Sequence, residues 1–328
     1  MANTLDYNLG LELVRVTEAA ALAAAPWIGR NAKNEADKAA VDAMRARLNG
    51  IEMDGVIVIG EGEKEHAPML FKGERVGRTV EGRAAPPMDL AVDPIDGARA
   101  LSLGLSNTLS VLALADRGAL FFPGPIVYMD KLAVGADAAG VIDLNAPVAD
   151  NLEKIARAKG KRVTELIVVV LDRPRHDHLI TEIRATGARL KLIRDGDVAP
   201  SIEACMPDTN VDVLMGVGGA PEAVVSAAAL KCMGGEIHAR LYPRNVQEKR
   251  AAEELGYDTN QVLTCRDLVK SDDVYFATTG ITDGELLKGA HYFAGGATTD
   301  SLLMRAATGT VRRIQATHRA AKIKQWLE

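Results

Sequence analysis

Carboxylates concentrate directly after two short apolar segments of the chain. Both segments are too short for a helix, which indicates strands. The acids that follow them are Glu61 and Glu63 after 56–59, and Asp93 and Asp96 after 89–92. Glycines beside Glu61 let the backbone approach a ligand closely, and Pro94 makes a rigid turn that can aim Asp93 and Asp96 at one point. The alternative in each place is an ordinary polar turn.

Asp37 differs from these acids because it shares a helical face with apolar residues. The residues three, four, seven and eleven positions after it are Ala40, Val41, Met44 and Leu48. On a helix predicted over 34–48, Asp37 therefore lies on the apolar stripe. A buried carboxylate needs a strong partner. An arginine or a helix N-terminus would serve, and so would a metal ion.

Oxygen ligands dominate this set of acids. Asp37, Glu61, Asp93 and Asp96 are accompanied by no cysteine and no well-placed histidine. All-oxygen ligation suits Mg²⁺ or Mn²⁺ and not zinc or copper. Two such ions can activate a water and stabilise the leaving oxygen of a phosphate ester. The sequence therefore predicts metal-assisted phosphate chemistry.

A basic segment follows another predicted strand. Arg173 and Arg175 are held apart by Pro174, and two such guanidinium groups can bind a phosphate. The alternative is an exposed loop. His176 and His178 come next, but residues two apart on a helix do not share a face, so we do not expect them to form a metal site.

Two further polar segments end predicted strands. One is Asp195-Gly196-Asp197, and the other is the glycine-rich stretch 216–222, which resembles a phosphate-binding turn before a helix but lacks a Walker lysine. Ligands of open α/β sheets bind beyond the carboxyl ends of the strands. Both segments are therefore candidate parts of a binding site.

Composition limits the class of protein. The chain has 328 residues, of which 48% are hydrophobic, and a net charge of −5 that makes nucleic acid an unexpected partner. No apolar run reaches the roughly 18 residues of a membrane span. Three scattered cysteines indicate buried thiols in a reducing compartment. Strand-like and helical segments begin to alternate near residue 150, so we expect an α/β protein with an α+β half over 1–150 and an α/β half over 151–328.

Several motifs together resemble one family. Asp-Pro-Ile-Asp-Gly at 93–97 is similar to the signature of the lithium-sensitive phosphatase superfamily. The match narrows to class II fructose-1,6-bisphosphatases through Glu12-Leu-Val-Arg-Val-Thr-Glu18, Asn34-Glu-Ala-Asp37, Ile59-Gly-Glu-Gly-Glu63, Ala67-Pro-Met-Leu70, Asp195-Gly-Asp197 and Gly218-Gly-Ala-Pro-Glu222. The resemblance implies a layered sugar-phosphatase fold with the active site between two α/β halves.

The resemblance also implies roles for individual residues. It implies hydrolysis of the 1-phosphate of fructose 1,6-bisphosphate, with sedoheptulose 1,7-bisphosphate as a second substrate, in a cytoplasmic dimer or tetramer serving gluconeogenesis or the Calvin cycle. The implied metal ligands are Asp37, Glu61, Asp93, Asp96 and Glu222. The implied substrate site comprises Asp96, Gly97, Ala98, Tyr128, Arg173, Pro174, Arg175, Asp195, Gly196, Asp197 and Gly219.

One position departs from the family pattern. The resemblance implies a catalytic threonine directly after Gly97, where this chain has Ala98. That threonine would act beside Asp37 and Glu61 on the attacking water, so we expect a low-activity Thr-to-Ala variant. Two alternatives stay open, namely an inositol-monophosphatase-like enzyme and a catalytically dead protein that binds a sugar bisphosphate.

Overall fold

The computed structural model describes residues 8–62, 69–81 and 84–327. Within these ranges, no helix is long and apolar enough to cross a membrane. Glu63, Ala67 and Pro68, which belong to the motifs quoted above, lie outside the described residues.

Strands and helices alternate along much of the chain. The strands are β1 (Asp54–Ile59), β2 (Arg75–Val76), β3 (Pro87–Asp96), β4 (Leu109–Asp116), β5 (Tyr128–Val134), β6 (Ile167–Leu171), β7 (Arg189–Ile193), β8 (Val213–Gly219), β9 (Glu236–Tyr242), β10 (Tyr275–Gly280), β11 (His291–Phe293), β12 (Gly296–Arg305) and β13 (Thr310–Arg319). The α-helices are α1 (Leu9–Ala24), α2 (Lys33–Leu48), α3 (Ala98–Ser102), α4 (Val148–Ala158), α5 (Asp177–Ala185), α6 (Val198–Glu203), α7 (Ala220–Met233), α8 (Val246–Glu254), α9 (Cys265–Leu268) and α10 (Ala320–Leu327).

The strands form two sheets. The first has the order β11-β12-β10-β4-β3-β1-β2, with β13 also paired to β12. The second has the order β7-β6-β8-β5-β9. Strands β6, β7 and β8 are parallel, whereas β5 is antiparallel to both of its neighbours.

The boundary predicted near residue 150 does not separate the two sheets. Strand β5 precedes that residue and lies in the second sheet, whereas β10 to β13 follow it and lie in the first. An apolar pattern shows that a segment is extended, but it does not show which sheet the segment joins. The α/β class itself is confirmed.

Three layers of apolar contacts hold the sheets and helices together. On β4, Val111 and Ala113 pack into the core between the two sheets, whereas Leu112 and Leu114 pack against the helices α1 and α2. Both faces of this strand are buried, which explains its continuous apolar sequence. Helix α7 lies in the central layer and contacts both sheets, and helices α4 and α5 cover the far face of the second sheet. The protein is therefore a layered α/β fold.

The bounds of the first two helices have causes that are visible in the sequence. Helix α1 ends at Ala24, before Pro26, and α2 begins at Lys33, one residue before its predicted start. Proline cannot continue a helix without losing a backbone hydrogen bond.

Cys232 and Cys265 are buried and Cys205 is half-buried, and all three are free thiols.

Candidate active site

A cavity of about 450 Å³, here called the central cavity, opens between strand ends of the two sheets. Fourteen residues singled out from the sequence line it: Asp37, Glu61, Asp93, Asp96, Gly97, Ala98, Tyr128, Arg173, Arg175, Asp195, Gly196, Asp197, Gly219 and Glu222. Pro174 does not line the cavity; it is the first residue of a 3₁₀ turn that also contains Arg175. Its part is to set the turn, since its fixed φ suits the first turn of a helix.

The end of β3 brings two carboxylates to the cavity. Pairing between β3 and β4 is irregular from Asp93 to Asp96, where Pro94 cannot donate a ladder hydrogen bond. The Ile95 amide donates to Asp93 Oδ1 at 3.1 Å, which fixes the turn. Gly97 then adopts φ 89°, a left-handed conformation that favours glycine, and starts α3 at Ala98. The two carboxylates and Ala98 thus share one tight turn.

Asp37 reaches the cavity from helix α2. Its side chain is 25% exposed and accepts a hydrogen bond from Lys33 Nζ at 2.8 Å, one helical turn earlier. The sequence left open an ion pair between Asp37 and an arginine. The structure shows such an ion pair, but its cation is Lys33. Because Lys33 also lines the cavity, the pair does not remove Asp37 from the site.

Glu61 reaches the cavity from the end of β1. Gly60 is needed there, because a Cβ atom would lie 2.0 Å from the Leu70 carbonyl oxygen. Although the residue is exposed, surrounding protein desolvates the carboxylate and, together with the charge of Asp37, raises the pKa of Glu61 to about 7. A nearby cation would reverse this effect.

Among the described residues, the deeper carboxylates Asp93, Asp96 and Glu222 form no ion pair, although the charge of Lys131 acts on Asp96 and Glu222. Desolvation and then the charge of Asp96 raise the pKa of Asp93 well above the usual range. Desolvation and then the charge of Asp197 do the same for Asp96, and desolvation raises the pKa of Glu222. Within the described ranges, Asp96 Oδ2 and Glu222 Oε2 are buried with no hydrogen-bond partner. Buried charges in proteins are paired or bind metals. The donor set therefore fits one or more hard cations.

This part of the chain does not form a ready-made metal cage. Across residues 8–62, 69–81 and 84–327, no group of three or more histidine, cysteine, aspartate or glutamate side chains is arranged to hold an ion. Mg²⁺ usually keeps several waters and binds through one or two carboxylates together with phosphate oxygens. Such a cation would be completed by water and substrate.

Cationic and aromatic groups enter from the second sheet. Arg175 donates from Nε and Nη2 to the Val217 carbonyl oxygen at 3.1 and 2.7 Å, and its guanidinium lies 4.9 Å from the ring centroid of Tyr128. Arg173 Nη2 lies 3.6 Å from Asp195 Oδ1. A guanidinium held in this way is suited to bind a phosphate.

The loop between β7 and α6 forms another wall. Asp195 Oδ2 accepts a hydrogen bond from the Ala100 amide at 3.4 Å, and Gly196 adopts φ 70° close to Asp96. Asp197 accepts a hydrogen bond from Lys131 Nζ at 2.6 Å.

The glycine-rich end of β8 leads into α7. A Cβ atom on Gly219 would lie 1.8 Å from Glu222 Oε2. Glu222 stands in the first turn of α7, directly after Pro221. The segment thus brings a carboxylate to the cavity.

Sequence reasoning missed several cations of the site. Lys33 and Arg99 line the cavity, and Lys131 is buried beneath it. The burial of Lys131 could have been inferred from the sequence. Side chains alternate between the two faces of a strand, so Lys131 shares a face of β5 with the buried Met129 and Ala133.

His176 and His178 have different environments and form no metal pair with each other. His176 is buried, Nδ1 lies 2.7 Å from the Leu171 carbonyl oxygen, and the Val217 amide donates to Nε2 at 2.8 Å. The ring is therefore neutral with its proton on Nδ1, and burial lowers the pKa of His176. His178 has a side chain that is 87% exposed and lies near Glu182.

We expect His176 to make stability depend on pH. Its folded-state pKa lies below the ordinary 6.5, so the unfolded chain binds the extra proton and stability falls as pH drops through about 6.5. His176→Ala should cost roughly 1–3 kcal/mol near neutral pH and flatten this fall. Melting temperatures between about pH 7.5 and 5.5 test it. His178→Ala is the control and should behave like the parent; an unchanged slope in His176→Ala contradicts the assignment.

Comparison with known proteins assigns the family. A sequence model described as bacterial fructose-1,6-bisphosphatase, glpX-encoded, matches residues 7–318. The chain belongs to this family. Fructose-1,6-bisphosphatase 1 class 2 of Escherichia coli K12 is 49% identical to it over 324 residues, covering 95% of each chain. The class 2 fructose-1,6-bisphosphatase of Shigella flexneri matches to the same extent. The resemblance inferred from the motifs is therefore confirmed over nearly the whole chain.

Proposed function

We propose that this protein hydrolyses the 1-phosphate ester of fructose 1,6-bisphosphate, giving fructose 6-phosphate and phosphate. The supporting observation is that one cavity receives carboxylates from the first sheet, such as Asp93 and Asp96, and guanidinium groups from the second, such as Arg173 and Arg175. A sugar carrying two phosphates matches this distribution. The carboxylates would hold cations around the reacting phosphate, and the arginines would bind the distal one.

Metal-binding roles fall to Asp37, Glu61, Asp93, Asp96 and Glu222 in this proposal. Mg²⁺ or Mn²⁺ bound there would lower the pKa of a water and stabilise developing negative charge on phosphate oxygens. The residues of the chain then have three tasks, which are to bind the sugar, to orient the attacking water and to exclude bulk solvent. Ala98 lacks the hydroxyl that could orient this water, so we propose that the chain hydrolyses its substrate slowly.

The proposal extends to related properties of the protein. Sedoheptulose 1,7-bisphosphate is a second substrate, because it offers the same two phosphates. A dimer or tetramer is supported by Tyr292 and Phe293, whose side chains are exposed on β11; exposed aromatic groups are typical of interaction surfaces. An inositol-monophosphatase-like activity is less favoured, because it would not need Arg175 for a second phosphate.

Recognition of the distal phosphate is tested with Arg175→Ala. The parent should bind fructose 1,6-bisphosphate more tightly than fructose 1-phosphate or inositol 1-phosphate. Arg175→Ala should weaken bisphosphate binding by roughly 1.5–3 kcal/mol, because a charge-assisted hydrogen bond is lost, and should leave the monophosphates nearly unchanged. Isothermal titration calorimetry measures all three ligands.

The control for this prediction is Arg184→Ala. Arg184 is an exposed residue on α5 and does not line the cavity, so the variant should bind like the parent. Equal weakening of bisphosphate and monophosphates by Arg175→Ala would contradict the distal-phosphate role. A parent that prefers inositol 1-phosphate would overturn the proposed substrate.

A further inference from the structure

Lys131 lies beneath the central cavity with its side chain fully buried. The side chain is 0% exposed, and no other lysine or arginine among the described residues is buried. Burying an ammonium group is costly unless it is paired and hydrogen-bonded. A buried lysine at the floor of a binding cavity therefore calls for a specific partner.

That partner is Asp197. Lys131 Nζ donates to Asp197 Oδ2 at 2.6 Å, and the aspartate side chain is only 5% exposed. Asp197 directly precedes helix α6 but makes no side-chain cap there. Its carboxylate is instead directed to strand β5, which ties the loop of residues 195–197 to the second sheet.

Gly218 leaves the space that this contact occupies. A Cβ atom on Gly218 would lie 1.8 Å from Asp197 Oδ2 and 3.0 Å from Lys131 Nζ. Gly218 itself lines the cavity at the end of β8. Because Gly218 on β8 has no side chain, it leaves room for the hydrogen bond between Lys131 on β5 and Asp197.

The other oxygen of Asp197 has a different environment. Within the described residues, Oδ1 is neither hydrogen-bonded nor among the buried polar atoms that lack a partner. Asp197 lines the cavity, so Oδ1 is the oxygen that a ligand can reach. The charge of Lys131 also offsets that of Asp197, in a wall that must admit an anionic ligand.

We propose that Lys131 is a positioning residue for sugar recognition. By holding Oδ2, it directs Oδ1 of Asp197 into the cavity, where this oxygen accepts a hydrogen bond from a substrate hydroxyl. The inference rests on the proposed function, because it takes a phosphorylated sugar as the ligand. It adds that the protein recognises a hydroxyl group of the sugar as well as the phosphates, and that Lys131 contributes by orienting Asp197.

Two variants remove the contact in different ways. Lys131→Met removes the charge and keeps the length of the side chain, whereas Gly218→Ala keeps both charges and displaces Asp197 from Lys131. Each should weaken binding of fructose 1,6-bisphosphate by about tenfold or more, as expected for a lost hydrogen bond to a charged group. Gly218→Ala should leave the binding of inorganic phosphate unchanged, because both charges remain. Lys131→Met also removes the charge that offsets Asp197, so it should weaken phosphate binding, but by much less than it weakens binding of fructose 1,6-bisphosphate. Isothermal titration calorimetry with Mg²⁺ present measures both ligands.

The matched control breaks a similar ion pair elsewhere. Lys159 has a side chain that is 9% exposed, contacts Asp137 and Asp212, and does not line the cavity. Lys159→Met should lower the melting temperature and keep the affinity for fructose 1,6-bisphosphate. If it loses as much affinity as Lys131→Met, general destabilisation explains the effect and the proposal is overturned.

The remaining outcomes are also decisive. If Lys131→Met does not fold, Gly218→Ala alone carries the test. If the folded variants bind fructose 1,6-bisphosphate as tightly as the parent does, the role of Lys131 is overturned. The role is also overturned if the variants lose as much affinity for inorganic phosphate as for fructose 1,6-bisphosphate. A parent that does not bind fructose 1,6-bisphosphate at all would instead overturn the proposed function.

Discussion

Ala98→Thr is expected to raise turnover of fructose 1,6-bisphosphate by at least about 10²-fold, the usual contribution of a positioned proton-transfer group. Ala98 is the first residue of α3, directly after the left-handed Gly97, and it lines the central cavity beside Asp96. A methyl group there can neither donate nor accept a hydrogen bond. A threonine hydroxyl at this turn would hold the attacking water and pass its proton towards a carboxylate.

Affinity should change little in this comparison. Contacts made equally in the ground state and the transition state set binding, whereas the hydroxyl acts on the step of bond cleavage. We therefore expect the dissociation constant of fructose 1,6-bisphosphate to stay within a few-fold while the rate of phosphate release rises. The protein with Ala98 would then bind its substrate and hold it almost intact.

Ala98→Val provides the matched control for the threonine variant. Valine has nearly the shape of threonine and lacks the hydroxyl, so any gain that comes from packing alone would appear in both variants. Steady-state phosphate release with saturating Mg²⁺ is measured for the parent and the two variants side by side. A valine variant as fast as the threonine variant, or a parent already as fast as both, would contradict the proposed role of the hydroxyl.

Much of the candidate site could be predicted because its acids follow strands directly. The polar residues at a strand end are neighbours in the sequence. At the end of β3, a proline and a glycine among these neighbours fix the turn that carries Asp93 and Asp96. Arg173 and Arg175 were predictable for the same reason. The ends of neighbouring parallel strands lie at one edge of a sheet, which brings Glu61 close to Asp93. The approach of the second sheet, which carries the two arginines, is not local in sequence and could not be predicted in this way.

Partners distant in sequence could not be predicted in this way. Strand β10 pairs with β4 although all five strands of the second sheet lie between them in the chain, and nothing in the apolar pattern of either strand selects the other. The partner of Lys131 is equally hidden, because Asp197 approaches it through a loop that joins another strand to a helix. The predicted division of the chain near residue 150 failed to match the sheets for this reason.

Asp37 shows a limit of reasoning from helical periodicity. The pattern placed it on the apolar stripe, yet Ala40 and Met44 are buried whereas Asp37 is partly exposed and lines the cavity. A stripe ends where the helix leaves the core, and the sequence does not mark that point. The pairing with Lys33 was available from their spacing of four residues, but a pair on a helix surface is ordinarily structural and does not by itself indicate a site.

Removing one carboxylate should have opposite effects on the metal-free and the metal-bound protein. Asp93, Asp96 and Glu222 repel one another in a desolvated wall. Asp93→Asn keeps the oxygen that accepts from the Ile95 amide and deletes one charge, so the metal-free variant should melt at a higher temperature than the parent. The rise in melting temperature caused by Mg²⁺ or Mn²⁺ should disappear in this variant.

Asp89→Asn separates metal binding from general effects of charge. Asp89 lies on the same strand, is buried, accepts from the Gly118 amide at 2.7 Å and contacts Arg117 at 3.3 Å. Because it is already paired, its substitution should lower the melting temperature and leave the metal response intact. A ligand that binds only the folded state at 100 times its dissociation constant stabilises by about 2.7 kcal/mol, which thermal melts resolve easily. A metal response that survives in Asp93→Asn, or that vanishes equally in Asp89→Asn, would show that these carboxylates do not hold the cation.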